Sequence, residues 1–242
     1  METRKHSDFF TMSAVLALAV AGCFLLFGLR VAISGTTFYR YLVWNLLLAF
    51  VPYVIAALGV RLLSASGGWK GRSRAVVAAA TAALWLVFYP NAPYIFTDFI
   101  HVINKTYLRA KPSDWLGLNA LLWYDLLMNA AFAFIGHFIG LVSMWLVHNS
   151  LEVLWGPRAA RALVALAILF AGFGIYLGRF SRLNSWDLLY DPRTVVNEVA
   201  EASADPKAIL FSAAFSLFIF LTYAALVVFK RMAMPQIRGR KD

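Results

Sequence analysis

The sequence has few charged residues, a single cysteine and none of the short motifs that mark nucleotide-driven or metallopeptidase chemistry. Charged residues make up only 14% of the 242 residues and hydrophobic residues 62%, which excludes an ordinary soluble domain. Because Cys23 has no second cysteine to join, the chain cannot form an intrachain disulfide or a thiolate metal cluster. The sequence also has no Gly-rich phosphate loop, no Ser nucleophile elbow and no HExxH pattern, and it identifies no cofactor.

Long apolar runs predict an all-α integral membrane protein with about six transmembrane helices, because roughly 20 apolar residues suffice to cross a bilayer. The predicted spans are residues 9–29, 41–63, 75–89, 115–147, 161–178 and 208–229, which form a single transmembrane helical domain from residue 9 to residue 229. Residues 1–8 precede this domain, and a basic tail, residues 230–242, follows it. The lipid bilayer is therefore the first predicted partner.

Polar connections separate these runs. The first is a short turn from Arg30 to Arg40, and a loop from His148 to Ala160 is predicted between the fourth and fifth spans. The longest connection runs from Arg179 to Lys207 and contains Asp191-Pro192, a typical helix start. A short interfacial helix is predicted there.

The third run is too short to cross the membrane and is broken at Pro90 and Pro93. Residues 75–89 cover about 22 Å of a hydrocarbon layer about 30 Å thick. Proline ends a helix because it lacks an N–H and clashes with the preceding turn. The segment after Pro93 is expected either to re-enter the membrane as a half-helix or to lie flat at the interface.

A helix through this segment would carry a polar arc on an otherwise apolar surface. The arc comprises Tyr94, Thr97, Asp98, His101, Asn104 and Lys105. Asp98 and His101 are three residues apart, a spacing that suits a metal site or a proton-transfer pair. No motif supplies a third zinc ligand, so no metal site is assigned. Alternatively, the arc belongs to an interfacial helix and faces lipid headgroups.

Two further groups of polar residues attract attention. Asp125 lies in the fourth run, where an acid costs roughly 2.5–3.5 kcal/mol at the membrane centre, and Arg179 is its nearest plausible counter-ion. If the fourth span starts late, Asp125 instead contacts water at the interface.

Arg179, Arg182, Asn184 and Asp187 could hold an anionic headgroup, because arginine forks bind phosphate well. Alternatively, the arginines anchor the membrane end and Asp187 caps a turn.

The distribution of basic residues predicts the orientation in the membrane. If both termini are cytoplasmic, the inner segments hold 13 of the 22 Lys and Arg residues, as the positive-inside rule favours. The net charge of +10 is therefore attributed to topology and not to nucleic-acid binding. The candidate polar site then lies at the extracytoplasmic face and comprises Asn91, Tyr94, Asp98, His101, Asp125, Arg179, Arg182, Asn184 and Asp187.

Four strings carry a resemblance to a known family. They are Phe-Tyr-Pro-Asn-Ala-Pro-Tyr-Ile-Phe-Thr-Asp-Phe-Ile-His at 88–101, Trp-Tyr-Asp at 123–125, Tyr-Leu-Gly-Arg-Phe at 176–180 and Leu-Asn-Ser-Trp-Asp at 183–187. The chain resembles a bacterial multi-pass membrane family known only as a domain of unknown function, number 1361. The resemblance covers most of the chain from the second span to the sixth. It implies a bacterial inner-membrane location and no particular activity.

The leading functional hypothesis is an inner-membrane protein whose extracytoplasmic site binds a small polar or lipid-headgroup ligand, as in a transporter-like or lipid-handling protein. A broken helix beside intramembrane ionisable residues often marks a transporter's binding site. One alternative is a membrane-embedded enzyme that acts on an envelope or lipid-linked substrate. Another is a scaffold that assembles with a different membrane protein.

Overall fold

The computed structural model describes residues 2–65, 71–102 and 117–231, and every regular element within these ranges is helical. The predicted all-α class is therefore confirmed. The α-helices in chain order are α1 Glu2–Ser34, α2 Arg40–Ala65, α3 Arg72–Phe88, α4 Asn91–Tyr94, α5 Gly117–Tyr176, α6 Asp187–Tyr190, α7 Pro192–Ala204 and α8 Pro206–Arg231. A 3-10 turn, Ile95–Asp98, follows α4, and a π-helical turn, Leu177–Ser181, follows α5.

Some predictions lie outside the described residues. These are the polar positions Asn104 and Lys105, the start of the fourth run at Trp115 and the tail from residue 232 onward.

Within the described ranges, five helical stretches are long and apolar enough to cross a membrane. They are Thr11–Ser34, Arg40–Ser64, Arg72–Val102, Ala120–Ser181 and Pro206–Lys230. The fourth has 62 residues, or about 93 Å at 1.5 Å per residue, which is about three times the hydrocarbon thickness. It contains the fifth predicted span and residues 120–147 of the fourth. The count of six therefore depends on where this stretch is divided.

Gly156 divides α5 into two limbs, residues 117–155 and 157–176. Its backbone has φ 85° and ψ 168°, a conformation that is essentially restricted to glycine. Pro157 follows, and its fixed φ suits the first position of a new helix. The predicted loop from His148 to Ala160 is wrong, because both limbs stay helical up to this single residue. The backbone freedom of one glycine replaces a longer loop.

Gly156→Ala is expected to destabilise the protein by about 1 kcal/mol or more, because a Cβ disfavours this backbone conformation. Gly28→Ala is the matched control, since Gly28 lies within α1 and a Cβ there would have no neighbour within 4 Å. SDS-induced unfolding of both variants, followed by circular dichroism, measures the difference. Equal midpoints for the two variants would contradict a strained break at Gly156.

The third helix is interrupted but not redirected. α3 ends at Phe88, as the prolines predict, yet Pro90 has φ −55° and ψ −26° and the backbone stays in the right-handed helical region. Proline's fixed φ is compatible with a helix, so only hydrogen bonds are lost here. One stretch, Arg72–Val102, therefore continues through the break.

Contacts with the first limb of α5 show the direction of this continuation. Trp85 donates from Nε1 to Oγ of Ser143 at 3.0 Å. Further along the chain, Ala92 packs on Gly140 and Ile95 packs on Gly136. Residue numbers rise along this segment as those of its partners on α5 fall, so the segment runs antiparallel to the first limb. The buried residues from position 91 to position 102 are Ala92, Pro93, Ile95, Asp98 and Val102. Both predicted alternatives, a re-entrant half-helix and a flat interfacial helix, are wrong.

The first helix contacts the bundle along one narrow line. From residue 11 to residue 34 the buried positions are Leu16, Cys23 and Arg30, spaced seven residues apart. Seven residues are close to two helical turns, so the three side chains share one face. The prediction that Arg30 opens a polar turn is wrong, because α1 continues to Ser34 and buries Arg30.

Candidate functional site

Asp125 lies fully buried in an ion pair with Arg30. The Arg30 guanidinium donates from Nε to Oδ1 of Asp125 and from Nη2 to Oδ2, the latter at 3.0 Å. Tyr39 donates its hydroxyl to the same Oδ2 at 2.9 Å, and the guanidinium lies 5.5 Å from the centre of the Tyr39 ring. The prediction that Arg179 is the counter-ion of Asp125 is wrong, and so is the alternative that Asp125 contacts water.

The sequence held a signal for this pair. Arg30 ends the first apolar run, and Asp125 lies about 12 Å along α5 from Gly117, so both fall near one end of their helices. Opposite charges at matching depth in neighbouring spans are natural partners, because an unpaired charge in lipid is costly. We call this end of the bundle, which also holds Asp98 and Arg179, the polar end.

Asp98 is only 2% exposed and accepts a 2.6 Å hydrogen bond from Nδ2 of Asn45. Asp98 therefore points into the bundle. The interfacial alternative, in which it would face lipid headgroups, is not supported. His101 lies three residues after Asp98, and the centre of its ring is 4.7 Å from that of the Tyr41 ring. Asn45 was not among the predicted site residues, although an amide inside the second apolar run is a recognisable signal.

Arg179 lies in the π-helical turn at the end of the second limb and is half-buried. Its guanidinium acts electrostatically on Asp98, His101 and Tyr41. Within the described part of the chain it forms no hydrogen bond or ion pair. Arg179 is thus a cation close to the buried Asp98 carboxyl but not bonded to it.

A cavity of about 250 Å³, which we call the end cavity, adjoins this cluster. Its walls come from α2, from the break after α3, from the end of α5 and from the connection that leads to α7. Polar atoms reach it from Asn45, Asn91, Tyr94, Asn184 and Ser185, three of which are predicted site residues. Because Asn45 both lines the cavity and binds Asp98, the cavity and the buried carboxyl form one site.

Side chains satisfy carbonyls that the broken helix leaves free. Asn91 donates from Nδ2 to the Phe88 carbonyl and to Oγ of Ser185, each at 3.1 Å. Ser185 in turn donates to the Val87 carbonyl at 3.0 Å. Buried carbonyls in a membrane need such partners. The connection after α5 is thereby fastened onto the break and covers the cavity.

Two glycines of α5 and its π-helical turn permit this close approach. A Cβ on Gly174 would lie 2.9 Å from Cγ of Pro90, and a Cβ on Gly178 would lie 3.1 Å from Cε2 of Tyr94. Such small residues allow helices to pack closely in membranes. The break at Pro90 therefore faces the end of α5 directly, and the cavity forms beside that contact.

The remaining predicted residues do not assemble into an anion cradle. Arg182 is exposed and has a left-handed backbone, φ 59°, that ends the π-helical turn. Oδ2 of Asp187 accepts a 2.7 Å hydrogen bond from the backbone N–H of Asn184, which is the turn-capping alternative. This places a carboxylate where an anion would have to bind, so the four-residue phosphate site from Arg179 to Asp187 is not formed.

The connection after α6 contains the predicted surface helix. Asp191 accepts a 3.2 Å hydrogen bond from the Thr194 backbone N–H at the start of α7, as Asp191-Pro192 predicts. The hydrogen bonds from Thr194 hold the pKa of Asp191 below its ordinary value. Across the described ranges, no three His, Cys, Asp or Glu side chains are grouped closely enough to hold a metal ion.

These features define a helical membrane protein with a buried carboxyl, a nearby cation and a small cavity at one end of its bundle. The family model described as "Protein of unknown function (DUF1361)" matches residues 44–222, about three quarters of the sequence, and the chain belongs to that family. Neither the curated proteins nor the solved structures contain a match to the chain. α1, which carries Arg30, lies before the matched region.

Proposed function

We propose that this protein is a multi-pass protein of the bacterial inner membrane that binds a small polar or lipid-headgroup ligand at its extracytoplasmic end, in a transporter-like or lipid-handling role. The observation that carries the proposal is the end cavity, which shares Asn45 with the buried Asp98. An ionisable residue inside a membrane span is a functional-site hypothesis by default, because burying it is costly.

The orientation follows from the basic residues at the two ends of the bundle. By the assignment from the sequence, 13 of the 22 Lys and Arg residues belong to the segments at the end opposite the polar end and 9 to those at the polar end. The positive-inside rule favours the cytoplasm for that end and for both chain termini. The polar end then faces the extracytoplasmic side.

Asp98 and Arg179, two opposite charges that are not bonded to each other, support ligand binding at the polar end. Asp98 is bonded to Asn45 and Arg179 has no direct partner in the described ranges, although the two charges act on each other. Two unlike charges that lie close without joining can bind the two ends of a small dipolar or hydrogen-bonding group. Arg30 and Asp125 differ, since they neutralise each other directly.

Substitution at this pair tests the proposal. We expect Asp98→Asn and Arg179→Gln each to weaken ligand binding about tenfold or more, which removes about 1.4 kcal/mol of ligand-induced stabilisation. The measurement is the thermal shift of purified protein with a panel of polar lipids and their soluble headgroups. Arg182→Gln is the control, because Arg182 is exposed on the same connection. If both site variants kept the full thermal shift of the control, the proposal would be rejected.

A further inference from the structure

We infer that the occupant of the end cavity is a membrane lipid whose headgroup carries hydroxyl donors, and that it reaches the cavity sideways from the bilayer between α2 and the second limb of α5. This inference deepens the proposed function and rests on it. Three observations support it: the unfilled acceptors on the cavity wall, the apolar side chains at its edge, and the lack of a cation in its described lining.

The polar wall of the cavity offers acceptors. The amide of Asn45 directs Nδ2 to Asp98, and the amide of Asn91 directs Nδ2 to Phe88 and Ser185. Their Oδ1 atoms therefore point away from these partners, and neither Oδ1 atom has a hydrogen-bond partner in the described parts of the chain. Acceptors beside an apolar cavity select a ligand that brings its own O–H donors, because an amide oxygen left unpaired away from water is unfavourable.

The edge of the cavity faces the bilayer. Trp44 on α2 and Phe170 on α5 both line the cavity, and they are 56% and 42% exposed. Leu47 and Leu169, their neighbours, are similarly exposed on the same stretches of span. Acyl chains cover such surfaces in a membrane. An amphiphile can therefore leave its chains among them and place its headgroup in the cavity.

The opposite side of the cavity is covered. Leu183, Ser185 and Leu188 line it from the connection after α5, and Val195 lines it from α7. Ser185 holds this cover to the carbonyl of Val87 in α3. A lipid that enters from the side leaves this part of the lining in place.

The lining also disfavours a bare phosphate. The described residues around the cavity include no Lys or Arg, and the Asp187 carboxylate lies at the backbone of Asn184, which lines it. Hydroxyl groups of a sugar or glycerol headgroup meet the amide oxygens without requiring a cation. The favoured occupant is thus a neutral, hydroxyl-bearing headgroup on a diacyl lipid.

Native mass spectrometry of the full chain, with three probes, tests this inference. The probes are monoglucosyl-diacylglycerol, phosphatidylcholine with the same acyl chains, and soluble methyl glucoside. We expect one glucosyl lipid to be retained per protein, at least tenfold more tightly than phosphatidylcholine, which has no hydroxyl donor, and methyl glucoside to be released.

Two tryptophan variants provide a matched comparison. Leu48→Trp adds bulk inside the cavity, whereas Leu47→Trp, one position earlier on α2, adds it on the lipid-facing surface. Retention of the glucosyl lipid should fall about tenfold in the first variant and stay unchanged in the second. Asn45→Ala should reduce the ratio of glucosyl-lipid retention to phosphatidylcholine retention toward one. This ratio is informative even if the variant binds less of both lipids.

The outcomes separate the inference from the proposed function. Equal retention of both lipids, with equal loss in both tryptophan variants, would show only surrounding bilayer lipid and overturn the inference. Tight binding of methyl glucoside that Leu48→Trp abolishes would also overturn it, but would leave the proposed polar-ligand site intact. If Leu48→Trp affected no probe, while Asp98→Asn also left every thermal shift unchanged, both would be overturned.

Discussion

Asp125→Ala is expected to lower the free energy of unfolding by about 3–5 kcal/mol, because it leaves the Arg30 guanidinium buried without its counter-ion. The loss should be concentrated at α1. Arg30 is one of three buried residues between positions 11 and 34 of that helix, and the other two, Leu16 and Cys23, are apolar and lie farther from the polar end. Removal of the charge pair should therefore detach the end of α1 from α5.

Cys23 reports this detachment directly. It is the only cysteine, it is 2% exposed, and it lies two turns before Arg30 on the same face of α1. We expect its labelling by a membrane-permeant maleimide to be slow in the wild type and much faster in Asp125→Ala. Leu25→Ala, on the lipid-facing side of the same helix, is the control and should label at the wild-type rate.

A double-mutant cycle separates the pair from its surroundings. Arg30→Ala alone should cost a similar amount, because among the described residues it leaves the buried Asp125 carboxylate with the Tyr39 hydroxyl as its hydrogen-bond donor. The double variant should cost much less than the sum, since no unpaired charge is left behind. If the two single losses were additive, Arg30 and Asp125 would not be acting as a pair.

The sequence was sufficient to predict the fold class and much of the helix inventory. Runs of apolar residues determine where helices cross a membrane, so α2, α3 and α8 begin and end within a few residues of the predicted spans. The start of α7 was also predictable, because Asp191-Pro192 is a local signal that tertiary contacts rarely override. Local chemistry and lipid contact together fix these features.

The pairing of charges was not predictable from one helix at a time. Arg179 was a reasonable partner for Asp125 by sequence, but α1 packs along the first limb of α5 and brings Arg30 to the same depth. The error began with the assignment of Arg30 to a turn. Hydropathy marks an arginine as the end of a span, whereas a buried partner lets the helix continue past it.

The course of the chain after Pro90 also needed tertiary contacts. A proline pair predicts a break, and α3 does end there. Whether the chain turns aside depends on what receives it. Gly136 and Gly140 provide a flat surface on α5 against which Ile95 and Ala92 pack, so the segment follows the bundle and carries Asp98 inward. The candidate site is therefore a product of helix packing more than of the polar arc itself.

Gly172→Leu is expected to destabilise the protein by about 3 kcal/mol, the upper end of the usual range for an overpacked core. A Cβ on Gly172 would clash with the Ser212 carbonyl oxygen and with Oγ of Ser216, both on α8. The serine side chain could rotate away, but the Ser212 oxygen belongs to the backbone. The second limb and α8 would therefore have to separate along their length.

Separation of these helices should also disturb the polar end. The second limb carries Gly174 against Pro90, and the connection after it covers the end cavity. We therefore expect Gly172→Leu to lower the SDS midpoint and to weaken ligand-induced stabilisation together. Gly22→Leu is the control, because Gly22 lies on α1 with no atom within 4 Å of an added Cβ, and it should leave both quantities unchanged. If the two variants had the same SDS midpoint, the second limb and α8 would not be in close contact at Gly172, and the packing that positions the cavity would have to be different.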